Sequence, residues 1–213
     1  MMIQYKVGNL FELLPENDSV KMICHIVNSV GGWGAGFVIP LAKAYPLSEE
    51  QYRKWHKKGK IDSYGYSIPF ELGKVQFVNH NQNIVIANMV GQEGTGMGIN
   101  GRPPIRYSAL AQCMQDVARV AKIRNAEIFA PAFGSGLAGG NWSFIEELIN
   151  ELWCDRDIPV TIYSLEPIQT SIETVKITLK CPHCCHTVEQ DMEVGCEIRP
   201  FYCPNCLFFF DEG

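Results

Sequence analysis

Two glycine-rich turns constrain the fold of this 213-residue chain more than any other feature. The first runs from Gly31 to Gly36 and the second from Gly134 to Gly140. Each follows a short apolar run and precedes a helical pattern, so each places free backbone N–H groups at the start of a helix, where an anionic phosphate can dock. The pair predicts a globular protein that is built around a diphosphate.

Apolar runs of strand length surround these turns. They cover residues 22–27, 84–90, 128–132 and 160–165. Runs this continuous are expected of strands that are covered on both faces of a sheet. A fifth run, 74–78, is separated from 84–90 by a polar stretch of asparagine, histidine and glutamine, which indicates a hairpin.

Helical patterns lie between these runs. A helix is expected over 37–45, another after Pro104, and capping boxes that begin at Ser48 and Ser143 predict two more. Strands that alternate with helices predict an α/β fold with a mixed or mostly parallel sheet covered on both faces. Ligands of such sheets bind at the carboxyl ends of the strands, where both glycine turns fall.

The second turn also matches a dinucleotide-binding fingerprint. Residues Gly134 to Gly139 have the spacing G-x-G-x-x-G and follow an expected strand. A Rossmann domain presents this motif in its first βα unit, whereas here only one strand of the pattern remains after it. A dinucleotide-dependent oxidoreductase is therefore a minor alternative.

Three segments together resemble a macro domain. They are Val7 to Leu10, His25 to Phe37 and Pro131 to Trp142, and the resemblance covers about residues 1–167. It is closest to the branch that contains ADP-ribose-1''-phosphate phosphatases and terminal ADP-ribose protein glycohydrolases. The resemblance implies a three-layer α/β/α sandwich with a mixed sheet, and it implies ADP-ribose or ADP-ribose-1''-phosphate as the ligand.

The resemblance also implies which residues contact that ligand. Asn9, with Leu10 beside it, stands on the adenine side, and Asn28 and Phe133 stand near the distal ribose. Gln92 is a further contact after the 84–90 strand. The diphosphate is expected between Gly32, Trp33, Gly34, Ala35 and Gly36 of the first turn and Gly134, Ser135, Gly136, Leu137 and Ala138 of the second.

Two departures from the branch concern catalysis. The related glycohydrolases pair a lysine at the end of the middle strand with an aspartate after the second turn, but here residues 88–92 contain no lysine and Ala138 replaces the aspartate. Phosphatase-like or water-mediated hydrolysis remains, with Asn28, Ser135 and His25 as the candidate catalytic residues. For His25, which lies within an apolar run, simple packing is the competing interpretation. A non-catalytic reader of ADP-ribosylated macromolecules, or a module that sequesters a nucleotide, is the alternative function.

The C-terminal segment carries two C-x-x-C motifs. Cys181 and Cys184 are separated by eighteen residues from Cys203 and Cys206. Four thiolates in this spacing predict structural zinc in a zinc ribbon over 168–213, which follows the macro domain of 1–167. The neighbouring His183, Cys185 and His186 are alternative ligands. Since four protein ligands leave no position for substrate, we expect no catalytic metal.

Composition limits the partners. The net charge of −5 argues against non-specific nucleic-acid binding, and the ribbon has few basic residues among many acidic ones. An apolar surface is expected on the ribbon from its aromatic residues Phe201, Tyr202, Phe208, Phe209 and Phe210, and this surface is expected to dock on the macro domain or on a second subunit. No apolar stretch approaches the roughly 20 residues that cross a bilayer, and the N-terminus lacks the apolar core of a signal peptide. We therefore expect a cytoplasmic protein with no membrane partner.

Overall fold

The computed structural model describes residues 1–63, 66–98, 101–168, 174–193 and 201–210. The chain divides into two compact units, Met1–Pro167 and Ile168–Gly213. The first unit contains β1 (Gln4–Val7), α1 (Leu10–Leu13), β2 (Val20–Asn28), α2 (Val38–Ala44), α3 (Pro46–Lys58), β3 (Lys60–Ser63), β4 (Tyr66–Pro69), β5 (Val75–Asn79), β6 (Ile84–Gln92), α4 (Tyr107–Arg124), β7 (Ala126–Pro131), α5 (Trp142–Leu152) and β8 (Val160–Ser164). The second contains β9 (Thr174–Lys180), β10 (Thr187–Glu193), β11 (Phe201–Tyr202) and β12 (Phe209–Phe210).

A six-stranded mixed sheet forms the centre of the first unit. Its order is β1-β8-β7-β2-β6-β5, and every neighbouring pair is parallel except β5 with β6, which form an antiparallel hairpin. The mixed α/β fold and the hairpin are therefore confirmed. The central strands β2 and β6 are buried along most of their length, which explains their continuous apolar sequence.

Helices cover the two faces of this sheet. On one face, Ile23 and Ile86 pack in a core with Leu41 of α2 and Trp55 of α3. On the other face, α4 packs on β2, β6 and β7, and α5 packs on α4. Side chains alternate along a strand, so β2 contributes residues to the packing on both faces of the sheet. Within the described ranges, no helix combines the length and the apolarity needed to cross a membrane.

Two predicted helix starts are wrong. α3 begins at Pro46, where the missing N–H of proline costs nothing, so Ser48 lies inside the helix and donates its hydroxyl hydrogen to the carbonyl of Tyr45 (2.7 Å). α5 begins at Trp142, and its cap is Asn141, whose Oδ1 accepts from the N–H of Phe144 (3.2 Å). In both cases another residue that favours a helix start stands two positions upstream of the serine.

The described residues of the second unit, 174–193 and 201–210, form two hairpins with the same turn geometry. β9 pairs antiparallel with β10, and β11 pairs antiparallel with β12. In each C-x-x-C turn the residue after the second cysteine adopts a left-handed conformation, with φ +60° at Cys185 and +57° at Leu207. The N–H of Cys181 donates to His186, and that of Cys203 donates to Phe208, both at 2.8 Å. The two turns therefore present their thiols in equivalent ways.

Candidate functional site

A cavity of about 590 Å³ opens at the carboxyl ends of β2, β6 and β7. The first glycine turn follows β2 and the second follows β7, so adjacent strands hold both turns around one space. Its lining includes His25, Asn28, Gly32, Trp33, Gly34, Ala35, Gly36, Gln92, Phe133, Gly134, Gly136, Leu137 and Ala138. The structure thus brings most of the sequence-predicted residues together.

The side chain of Asn28 holds the first turn in shape. Its Oδ1 accepts from the N–H groups of Val30 (3.1 Å) and Gly32 (2.9 Å), and its Nδ2 donates to the carbonyl of Gly32 (2.7 Å). A Cβ on Gly32 would lie 3.2 Å from that Nδ2, so the tight approach favours glycine here. Among the described residues, Asn28 Nδ2 has one acceptor, so the second N–H of the amide is available to a ligand.

The second turn is closed by its own backbone. The N–H of Gly140 donates to the carbonyl of Gly134 (2.8 Å), and that of Gly139 donates to Gly136 (2.9 Å). Gly134 has a φ of +83°, and a Cβ there would lie 2.8 Å from Ile145 Cδ1, so only glycine suits this position. Within the described residues, the N–H groups of Gly136 and Leu137 have no intramolecular acceptor, and both residues line the cavity. They are therefore available to an anion.

A buried polar network lies under the cavity floor. His25 is 1% exposed, and its Nε2 lies 2.6 Å from Oδ1 of Asn88. The Asn88 amide donates in turn to Gln76 Oε1 (3.0 Å) and to the carbonyl of Ser48 (3.3 Å), which assigns the hydrogen of His25 to Nε2. Burial lowers the pKa of His25 to about 4, although the hydrogen bond with Asn88 opposes this. The imidazole is therefore neutral at pH 7, with a lone pair on Nδ1 that has no partner in the described part of the chain.

Three predicted contacts lie outside this lining. Asn9 caps α1: its Oδ1 accepts from Phe11 (3.1 Å) and its Nδ2 donates to Glu12 (2.8 Å). Leu10 is buried in the core, where its side chain contributes apolar packing. The hydroxyl of Ser135 donates to the carbonyl of Ala132 (3.2 Å) and so braces the second turn. These side chains already have structural partners.

Two polar lining residues were missed by the sequence analysis. Arg53 reaches the cavity from α3, and Thr95 reaches it from the segment after β6. Neither carries a local signal, because an arginine on an exposed helix face and a threonine among glycines are both common. Only the packing of α3 beside the first turn, where Tyr52 donates to the carbonyl of Asn28 (2.5 Å), brings Arg53 to the cavity.

A separate cluster of four cysteines lies in the second unit. The sulfur atoms of Cys181, Cys184, Cys203 and Cys206 all lie within 4.8 Å of one another. Cys181 and Cys206 are separated by 3.7 Å, and Cys184 and Cys203 by 3.6 Å. Asn205 donates to the sulfur of Cys184 (3.5 Å), which lowers the pKa of that thiol. The adjacent Cys185 is exposed and is not part of the cluster.

Comparison with known proteins identifies the first unit. A structure of a protein from Bacteroides thetaiotaomicron is 40% identical, with a TM-score of 0.70, over 76% of this chain and 98% of that one. The structure of a macrodomain protein from Streptomyces coelicolor is 38% identical, with a TM-score of 0.61, over 76% of this chain and 98% of that protein. The chain belongs to the macrodomain family. No protein-family model matches it.

A curated relative of this macrodomain carries an activity in its name. The ADP-ribose 1''-phosphate phosphatase of Candida albicans is 27% identical over 161 residues, which are 70% of this chain and 93% of the Candida protein. In the present macrodomain, α5 begins at Trp142, beyond the end of the G-x-G-x-x-G motif, and family membership accounts for that motif without a Rossmann domain. The oxidoreductase alternative is therefore not carried further.

Proposed function

We propose that the macrodomain binds ADP-ribose in the cavity and hydrolyses a substituent on its distal ribose. The observation that carries this proposal is the meeting of both glycine turns around one cavity, with free N–H groups of the second turn lining it. A diphosphate between the turns would be held by backbone donors that are already in place. The phosphatase relative from Candida albicans supports a hydrolase.

Asn28 is proposed to orient the distal ribose. Its side chain is fixed by the first turn, and its remaining amide hydrogen can donate to a ribose hydroxyl. The substituent is either the phosphate of ADP-ribose-1''-phosphate or an ADP-ribosyl linkage. For the phosphate, a water oxygen attacks phosphorus, the bond from phosphorus to the ribose oxygen breaks, and that oxygen takes one of the two water protons while the other stays on the phosphate. The products are ADP-ribose and inorganic phosphate.

We assign no proton transfer to His25, because its Nδ1 is buried beneath the cavity surface. The Asn88 network holds the hydrogen on Nε2, so Nδ1 is the basic nitrogen. The low pKa keeps the imidazole neutral, and its contribution is to support the cavity floor through the hydrogen bond with Asn88. We assign no role in proton transfer to Ser135, because its hydroxyl is turned to the carbonyl of Ala132.

The alternative is a reader that binds ADP-ribosylated macromolecules without turnover. Ala138 favours this alternative: it lines the cavity at the position where the related glycohydrolases have an aspartate. Both functions require the same ligand, so one set of measurements separates them. Calorimetry measures ADP-ribose binding, and assays of phosphate and ADP-ribose release test ADP-ribose-1''-phosphate and an ADP-ribosylated protein as substrates. Binding with turnover supports the hydrolase, binding without turnover supports the reader, and absence of binding refutes both.

The second unit is proposed to hold a structural zinc ion as a zinc ribbon. A tetrahedral zinc with bonds of about 2.3 Å to sulfur requires sulfur–sulfur separations of about 3.8 Å. The separations of 3.7 and 3.6 Å across the two turns match this geometry. Four cysteine ligands would fill the coordination sphere, so the ion would stabilise this small unit and leave no open position for a substrate.

A further inference from the structure

Arg53 brings a permanent positive charge to the wall of the cavity. Of the described residues that line it, Arg53 alone is charged at every physiological pH. Its side chain is 53% exposed, and Nη1 lies 3.5 Å from the carbonyl oxygen of Gly31. The charge therefore sits at the end of the cavity formed by the first turn.

That end is where the proposed function places the distal ribose. Tyr52, the residue before Arg53, donates to the backbone carbonyl of Asn28. Thr95 lies close by, because a Cβ on Gly32 would be 3.0 Å from its Cγ2. Asn28, Thr95 and Arg53 thus surround one end of the cavity, whereas the free N–H groups of Gly136 and Leu137 come from the second turn.

The guanidinium of Arg53 has donors to spare. Its Nε donates to Glu49 (2.8 Å), one helical turn earlier, and its Nη1 makes the long contact with Gly31. An arginine offers five N–H groups in a planar fork, and in the described part of the chain those of Nη2 have no acceptor, so they are available to an anion. The ion pair with Glu49 also limits the rotamers of Arg53 and keeps the fork near the rim of the cavity.

We infer that Arg53 selects ligands whose distal ribose carries an anionic substituent, which makes a phosphate monoester the substrate class of this site. The inference rests on the proposed binding of ADP-ribose. A phosphate monoester has a charge near −2 at neutral pH, whereas an ester-linked protein side chain is uncharged at the same position. A fixed cation at that end of the cavity favours the phosphate monoester over the ester-linked side chain.

The test compares two ligands in the full-length protein. Arg53→Gln is expected to weaken the binding of ADP-ribose-1''-phosphate about fivefold, because a charge-assisted contact is lost at a half-exposed site. The effect is measured as Kd, or as kcat/KM if the ligand is hydrolysed. Binding of ADP-ribose should stay within about twofold, since it lacks the added charge. Lower ionic strength should widen the difference between the two ligands in the wild type and not in the variant.

Lys54→Gln is a matched control. Lys54 has the same charge, the same 53% side-chain exposure and the same pairing with a glutamate four residues earlier, but it does not line the cavity. Lys54→Gln should leave the affinity for both ligands unchanged.

The outcomes separate this inference from the proposed function. A wild-type protein that does not bind ADP-ribose refutes the proposed function itself. If the wild type binds ADP-ribose but Arg53→Gln changes both ligands equally, or neither, the inference about Arg53 fails and the binding proposal stands. The same is true if Lys54→Gln reproduces the loss, because the effect then reflects overall charge.

Discussion

The phenolic hydroxyl of Tyr52 lies 2.5 Å from the backbone carbonyl oxygen of Asn28 and 3.2 Å from its side-chain Oδ1. Tyr52 is fully buried in the core between α3 and the sheet. A single side chain of α3 therefore ties the last residue of β2 to the helix that also carries Arg53. The position of the first turn depends on the core as well as on its own glycines.

Tyr52→Phe should loosen the first turn. It removes the hydrogen bond to Asn28 and leaves a partly buried carbonyl without its donor, at a cost of about 1 kcal/mol in the free energy of unfolding. ADP-ribose affinity should fall as well, because the turn is less fixed. Tyr163→Phe is the control, since that buried tyrosine also donates to a backbone carbonyl, but its acceptor, Leu13 (3.2 Å), lies outside the first turn. Equal losses of ligand affinity in both variants would contradict the expectation.

Gly136→Glu should abolish ADP-ribose binding in a folded protein. A Cβ on Gly136 meets nothing within 4 Å, so the side chain is accommodated, but its carboxylate enters the cavity and repels the diphosphate. We expect an affinity loss of at least about a hundredfold by calorimetry, equivalent to about 3 kcal/mol. Gly136→Gln has the same size without the charge and should lose clearly less. Retained binding in Gly136→Glu would place the ligand elsewhere.

His25 should make stability depend on pH. Because burial depresses the folded-state pKa from 6.5 to about 4, the unfolded chain takes up the proton first as the pH falls. The contribution of neutral His25 to the free energy of unfolding is complete above pH 6.5 and is lost progressively towards pH 4. About 2 kcal/mol of it is lost between pH 7.5 and 5. His25→Gln keeps a donor for Asn88 and should lose less stability over this range.

Denaturant titrations followed by tryptophan fluorescence can measure this difference. All four tryptophans precede residue 168, so the signal reports the first unit. Titrating carboxylates affect the wild type and His25→Gln alike and cancel in the comparison. Parallel stability curves for the two proteins would show that His25 is not held neutral by burial.

Protein purified without added metal should contain about one zinc per chain. Cys184→Ser should lose it, because a hydroxyl replaces one of four thiolate ligands. Cys185→Ser, at the adjacent exposed cysteine outside the cluster, should retain it. Metal analysis combined with thiol titration measures both. Less than half an equivalent in the wild type, or equal loss in the two variants, would count against the site.

Local sequence patterns were sufficient to predict the main strands and the two glycine turns, but not the exact starts of the helices. The runs 22–27 and 84–90 lie within β2 and β6 because buried parallel strands need apolar residues on both faces. Both helix starts were misplaced because Pro46 and Asn141 compete with the nearby serines, and side-chain spacing does not rank such competitors. The sequence also contains no sign of β3 and β4, a short pair outside the main sheet.

The cavity residues that lie on the two glycine turns could be predicted from the sequence. Those that other elements contribute could not. Asn28 and the glycines lie on the two turns, so their motifs indicated them directly. Arg53 belongs to the cavity only because α3 packs beside β2, which no local spacing encodes. Conversely, Asn9 fits a family position, but its side chain is used as a helix cap in this structure.

The strand order β7-β2-β6 also determines when during synthesis the cavity can form. A nascent chain that has emerged only as far as β6 contains the first turn, Asn28 and Arg53, but β7 and the second turn are still to come. Parallel pairing across such long separations is slow, because loop entropy is lost before contacts form. If ADP-ribose binds as proposed, it cannot assist the early steps of folding, because the cavity forms only after β7 has paired with β2.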